Sequence, residues 1–175
     1  SWTLKATGFL RQSSNLIDYV STPSSQIQDN QNLAEDANYF LATNLAAVRT
    51  QGIEIESWFR QSLGSGMQMN WSLGYTYLQT SNEADLVSVY ISSHAGHLLT
   101  TQAILHTPRI QVGINGLYKV RDERSATSIN ASLAPSYMIW NARAAVKIVG
   151  DLGLNVQVHN LFDVEYQDIL GAPLP

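Results

Sequence analysis

Residues 67–80, MQMNWSLGYTYLQT, alternate with a period of two. Met67, Met69, Trp71, Leu73, Tyr75 and Tyr77 take the odd positions, Gln68, Asn70, Ser72, Gly74 and Thr76 the even ones, and only Leu78 departs from the pattern. Such alternation puts the two sets on opposite faces of a β-strand. A strand of a soluble domain keeps it for about five or six residues. A strand that crosses a bilayer needs roughly 9–11, and this segment is long enough.

The same pattern recurs along the chain. Trp2, Leu4, Ala6, Gly8 and Leu10 oppose Thr3, Lys5, Thr7, Phe9 and Arg11, and a kink at residues 13–15 leads on into 16–20. Residues 45–61 set Ile53, Ile55, Ser57 and Phe59 against Glu54, Glu56, Trp58 and Arg60. Weaker alternation over 97–107 is followed by a clear strand over 110–121, with Ile110, Val112, Ile114, Gly116, Tyr118 and Val120 on one side. Residues 137–149 send Met138, Trp140, Ala142, Ala144, Val146 and Ile148 one way and Asn141, Arg143 and Lys147 the other. Leu154, Val156 and Val158 open a last strand running on toward Gln167.

Seven strands result, with long connections at 21–44, 82–95 and 122–136 and short turns at 63–66, Pro108 and 150–153. A helical turn is expected in the first long connection, where Leu33, Ala37, Phe40 and Leu41 are suitably spaced. Alternating long and short connections place every long loop at one end of an antiparallel meander. Membrane barrels of the outer-membrane type have this asymmetry.

Composition sharpens the picture. Charged residues are only 14% of the chain, against roughly 25% in an ordinary soluble domain. Lys5, Arg11, Glu54, Glu56, Arg60, Lys119, Arg121, Arg143 and Lys147 all fall on the side opposite the apolar positions. A lysine or arginine facing lipid at the bilayer midplane costs about 2–4 kcal/mol, so the segregation suits a sheet with hydrocarbon on one side and water on the other. With short turns at the periplasmic end, Tyr75, Tyr77, Tyr118 and Trp140 lie toward one interface and Trp2 and Phe59 toward the other, as two aromatic girdles would. Trp71 fits neither in this scheme. A net charge of -4 gives no basic footprint for nucleic acid. The absence of cysteine removes disulfide scaffolds and thiolate metal sites. SWTLKATGFL does not read as a secretory signal, so an exported protein is expected to carry this chain as an internal piece or in processed form.

The segment NLFDVEYQDILGAP, with Asn160-Leu161-Phe162-Asp163, Tyr166, Gly171 and Pro173, resembles the C-terminal signature of TonB-dependent outer-membrane receptors. Gly52-Ile53-Glu54-Ile55-Glu56 and WSLGYTYLQT agree in order and spacing, and LRQSSNLIDYV resembles a strand of the family, its cobalamin receptors included. The resemblance implies an all-β fold, an antiparallel up-and-down meander forming about seven strands of a transmembrane barrel of about 22. It implies too that residues 1–175 are the C-terminal portion of that barrel, without its plug domain, earlier strands and closing strand. Seven strands do not close a barrel of that size, and lipid tolerates no open edge. The expected partners are outer-membrane lipid, the rest of the barrel and its plug, TonB acting through that plug, and a small-molecule substrate. The expected location is the bacterial outer membrane.

Candidate chemistry is sparse. His94 and His97 are three apart without a carboxylate or cysteine cluster, so no metal or other cofactor is expected. Glu54 and Glu56 share a strand face at the spacing a glycosidase pair could use, but a water- or plug-facing wall with Arg60 or another cation nearby explains them more simply. No Gly-x-Ser-x-Gly elbow marks a hydrolase, and no enzyme activity is expected. Recognition belongs on loops held by a rigid scaffold. Tyr39, Phe40, Tyr90, Arg121 and Arg124 are the substrate-binding candidates. The expected function is energy-coupled uptake of a scarce bulky nutrient, cobalamin or a ferric siderophore. The alternatives are a porin-like channel and a soluble β-sandwich binding module.

Overall fold

The structure, a computed structural model, describes residues 1–82, 94–121, 124–126, 131–169 and 172–174. Seven strands form one antiparallel sheet: β1 (Trp2–Pro23), β2 (Asn38–Gly64), β3 (Met67–Asn82), β4 (His97–His106), β5 (Ile110–Val120), β8 (Ser136–Val149) and β9 (Leu152–Val158). Each pairs only with its neighbours in chain order, so the sheet is an uninterrupted meander. Two small hairpins accompany it, β6 (Arg124–Ala126) with β7 (Ala131–Leu133) and β10 (Tyr166–Ile169) with β11 (Ala172–Leu174).

The short turns follow local chemistry. Between β2 and β3, Ser65 (φ 51°) and Gly66 (φ 74°) form a two-residue loop with both residues left-handed, the twist that suits a hairpin. The β4–β5 turn is tied by Thr107, whose hydroxyl accepts the Ile110 N–H at 2.8 Å. Gly150 at φ 55° opens the β8–β9 turn.

Register converts single-strand alternation into rows that run across the sheet. One row reads Trp2, Phe59, Trp71, Ala103, Ile114, Ala142, Val158, and another Ala6, Ile55, Tyr75, Leu99, Tyr118, Met138. Trp71 therefore belongs to the row of Trp2 and Phe59, which corrects its unassigned place in the sequence reading. Trp140 lays its indole where a side chain on Gly116 would stand, with ring carbons 2.7 Å from that position. The opposite face carries Thr3, Lys5, Glu56, Arg60, Asn70, Gln102, Asn115, Arg143 and Gln157, with Lys5 in register with Glu56, Arg60 with Asn70, Gln102 with Asn115 and Arg143 with Gln157.

Among the described residues no second sheet covers the apolar rows. Ile114 is 40% exposed, Val156 51% and Leu4 58%, while Met69, Leu73 and Val146 are half-buried by their neighbours in the same sheet. A sandwich would have enclosed them. Among the described residues only Val20, Leu45, Val48, Ile104, Leu133 and Tyr137 are buried hydrophobics, far too few to hold a water-soluble domain of this length together. The sheet presents its apolar side outward as a barrel wall does.

Strand lengths at the long-loop end exceed the sequence expectation. β1 spans 22 residues and β2 27, about twice what a bilayer requires. The first long connection shrinks accordingly: residues 38–44 are strand, and the turns within 24–37 are 3-10 turns at Ser24–Gln26 and Asn30–Asn32 rather than one near 33–41. At the other end of the chain β9 stops at Val158, and the chain turns at 160–163 instead of continuing as strand to Gln167.

The protruding ribbon has its own small core. Val20, Leu45 and Val48 cluster with Leu16. Leu45 and Val48 are three apart in one strand and should face opposite ways. At this level the register of β1 with β2 passes over Asn15, whose φ of 56° interrupts the regular pleat. Beyond this point the faces exchange, and Ile17 and Tyr19 point outward, 74% and 58% exposed.

Two substitutions at adjacent positions test the two-solvent sheet. In the full barrel, Ile114→Arg on the outward row is expected to cost about 2–4 kcal/mol, read as a loss of the heat-shifted folded band on gels. Asn115→Arg, one residue along on the other face, is expected to leave that band intact.

Candidate functional site

The inner wall near the long-loop end carries the densest set of polar contacts. It begins with the turn that follows β9. Asn160 (φ 51°) takes a left-handed conformation that asparagine tolerates. Its side chain accepts the Val164 N–H at 2.9 Å and donates to the Val164 carbonyl at 3.0 Å. Its own N–H reaches the Asn141 side-chain oxygen at 2.9 Å, and the Leu161 N–H reaches the Trp140 carbonyl at 2.7 Å. The turn is thus fastened to β8 and directs residues 164–168 back over the inner face.

The returning segment is held by a clasp. Asp168 Oδ1 accepts hydrogen bonds from Lys119 Nζ at 2.8 Å, Tyr137 Oη at 2.8 Å and Arg121 Nη1 at 3.3 Å. Lys119 and Tyr137 face each other directly across β5 and β8. Arg121 is enclosed, its side chain 1% exposed, and a buried cation is tolerable only when paired and fully hydrogen-bonded. Here Nη2 donates to the Gln167 carbonyl and Nε to the Ala134 carbonyl. The rings of Tyr137 and Tyr166 meet at 4.8 Å, and the Arg121 guanidinium lies 5.4 Å from the Tyr137 centroid.

Burial works against the charge on Asp168. The hydrogen bonds from Lys119 and Tyr137 and the positive charges of Lys119 and Arg121 outweigh it, holding the carboxyl below its ordinary value.

The remaining wall is plainer. Glu56 pairs with Lys5 at 3.7 Å, both well exposed, a contact worth little by itself. Arg60 bonds the Asn70 side chain instead of either glutamate. His97 turns outward, its Nδ1 2.8 Å from Tyr75 Oη and its ring 5.1 Å from that of Tyr77, so it serves the aromatic girdle. Among the described residues no three histidine or carboxylate groups come together as metal ligands. A shallow depression of about 490 Å³ lies on the inner face at the short-turn end, lined by Trp58, Arg60, Asn70, Gln102 and Ile104 among others.

The sequence-derived binding candidates scatter. Tyr39 and Phe40 lie in β2 instead of a loop, and as strand neighbours they point to opposite sides. Tyr39 accepts the Ala34 N–H at 2.9 Å and so staples the turn region, while Phe40 is 37% exposed. Arg121 lies in the clasp. The backbone of Arg124 begins β6, and Tyr90 lies outside the described residues. Tyr137, Tyr166 and Asp168 were not legible as partners, since 31 residues separate Tyr137 from Asp168. The one cue was an acidic residue downstream of the NLFD segment, with Lys119 and Arg121 on one face of a strand.

An open antiparallel meander with an apolar outer face, free of charge along the rows from Trp2 to Val158 and from Ala6 to Met138, and a polar, ion-paired inner face defines a wall of a transmembrane β-barrel. No curated protein matches the chain. Over residues 1–161 the sequence matches the family described as TonB dependent receptor-like, beta-barrel. The chain belongs to that family, whose members are receptors and transporters of the bacterial outer membrane and work with TonB in a barrel-and-plug context.

The clasp has a defined pH signature. A carboxyl held below its ordinary pKa contributes fully above the ordinary value of about 3.9 and loses its contribution as pH falls through the lowered one. With a nitroxide at Glu165→Cys, the label's mobility is expected to stay flat down to about pH 4 and to rise only in stronger acid. In Asp168→Asn the label should be mobile at neutral pH, with no acid transition.

Proposed function

We propose that this chain is barrel wall and extracellular mouth of an active importer that takes up a scarce, bulky nutrient, cobalamin or a ferric siderophore, with energy from TonB transmitted through a plug domain. The observation that carries the reading is the outer row from Trp2 to Val158, half-exposed and uncharged across seven strands, with the Lys5–Glu56, Lys119–Asp168 and Arg121–Asp168 ion pairs on its other side. The exposed edges of β1 and β9 pair with further strands of the same barrel in this reading, because a backbone edge left open in lipid strands its polar groups. Lys5, Glu54, Glu56, Arg60 and Arg143 then face the plug or the water around it.

Capture takes place at the mouth. The β1–β2 ribbon extends roughly ten residues beyond the membrane-crossing length, and Tyr39 lies on the side that carries its buried cluster. Tyr39 and Phe40, with Tyr90 and Arg124, are the candidates for substrate contact at this level. No residue acts as a nucleophile or general acid in this scheme. Work is done by binding and by mechanical pull on the plug.

Uptake by cells that express the full receptor as their sole importer tests the proposal. Labelled cobalamin or a labelled ferric siderophore is expected to accumulate saturably, and deletion of TonB should abolish accumulation. Entry that is unsaturable and persists without TonB would instead mark a porin-like channel.

A further inference from the structure

Among the described residues of the seven-stranded sheet, Arg49 is the cation that stands on the outward face. It pairs across to Gln12 on β1 and Ser81 on β3, and it is exposed. The row below carries Leu10, Gln51 and Gln79, with Gln51 Nε2 donating to Gln79 Oε1 at 3.0 Å. The row below that carries Tyr77 and His97 of the girdle. The guanidinium therefore stands where hydrocarbon gives way to headgroups, the level at which lipid phosphates lie.

Beside the guanidinium the surface falls away into a depression of about 590 Å³. Gln12, Ser14, Ala47, Arg49 and Ser81 line it from the outward face. The hollow exists because Ser14, Ala47 and Ser81 are short, and because the pleat breaks at Asn15 just beyond them. Its lining is one cation among neutral amides and hydroxyls. The planar fork of an arginine matches two oxygens of a phosphate. Glutamine and serine both donate and accept, which suits the hydroxyls of a sugar. The volume is larger than a phosphate fills and lies in the range of small-molecule sites. Below the hollow the outward face is apolar and open, with Leu10 57%, Ile53 51% and Ile55 41% exposed, so a headgroup seated here has a path for its acyl chains.

We propose that Arg49, Gln12 and Ser81 form a headgroup site for a phosphorylated glycolipid of the surrounding membrane leaflet. Its phosphate lies on the Arg49 guanidinium, its sugar in the hollow and its acyl chains along the outer rows. The site goes beyond the uptake reading and is independent of the substrate. A phospholipid offers the phosphate but leaves the hollow unfilled. Because the three residues come from three strands, a lipid held here ties β1, β2 and β3 together at the rim from which the long β1–β2 ribbon rises.

The test uses the full receptor in detergent, titrated with a bis-phosphorylated, acylated glucosamine disaccharide and read by native mass spectrometry. Arg49→Gln is expected to bind this glycolipid about tenfold less tightly than the parent, the loss expected for one charge-assisted hydrogen-bonded contact. Arg49→Lys should recover only part of the loss, because an ammonium lacks the planar fork. Arg11→Gln, beside Gln12 but on the inner face, should match the parent. The same disaccharide stripped of its phosphates, and phosphatidylglycerol, should each bind the parent more weakly than the intact glycolipid. Equal binding by Arg49→Gln and the parent overturns the site. Equal binding of phosphatidylglycerol overturns the assignment to a sugar headgroup, and displacement by equimolar inorganic phosphate overturns the assignment to a lipid. Should Arg49→Gln fail to give a heat-shifted folded band, Ala47→Phe takes its place, because it fills the hollow without touching the charge and is expected to weaken glycolipid binding too.

Discussion

A backbone that crosses hydrocarbon has no water to bond with, and this single constraint orders the molecule. It requires every strand to be paired along its crossing length, which the uninterrupted antiparallel register from β1 to β9 provides. It forbids charge on one face and leaves the other free to be polar. The usual relation between folding and burial is thereby altered. Side chains such as Leu4, Ile114 and Val156 stay exposed in the sheet, as outward positions of a barrel of this family would, so no central core is needed. Among the described residues, packing of the familiar kind is found mostly toward the long-loop end, in the Val20–Leu45–Val48 cluster and around Leu133 and Tyr137, with Ile104 the one buried hydrophobic near the short turns.

Arg49 shows where that constraint ends. β2 continues past Gln51 to a lipid-side arginine, which pairs across to Gln12 and Ser81. Two rows below stand Tyr77 and His97 of the girdle. A cation at this height can reach headgroups and water, whereas the same charge in the row of Ile114 would sit in hydrocarbon. The position of the first tolerated charge thus marks the membrane surface as clearly as the aromatic residues do.

What could be read from the sequence follows from how local each feature is. Period-two alternation is a property of one strand, so the faces of Met67–Asn82 and Ile110–Val120 were legible residue by residue, and so was the meander built from alternating connections. Trp71 was not, because its height relative to Trp2 depends on the register of three strands. Residues 38–44 were read as loop, their Asn, Tyr and Thr side chains lacking a clean apolar face. The exchange of faces at Asn15 rests on one backbone angle that composition does not announce. Furthest from view was the clasp. A pair such as Tyr137 and Asp168 depends on where a turn sends the chain, and no periodicity encodes that.

The turn itself explains why a chain of this kind needs an NLFD segment at that place. β9 presents Val156 and Val158 to lipid and must hand the chain from the outer rows to the inner face without stranding backbone groups at the rim. Leu161 and Phe162 remain exposed, 41% and 65%, and prolong the apolar row to the interface. Asn160 supplies the left-handed step and closes its own ring with Val164, which satisfies two backbone groups that would otherwise lack partners. A β-branched residue at Asn160 would resist the positive φ, and aspartate there could accept the Val164 N–H but not donate to its carbonyl. Asparagine is the residue type that does both. Once the chain has crossed the rim by this route, Tyr166 and Asp168 arrive over β5 and β8, and a lipid-facing strand ends by closing the polar wall at its back.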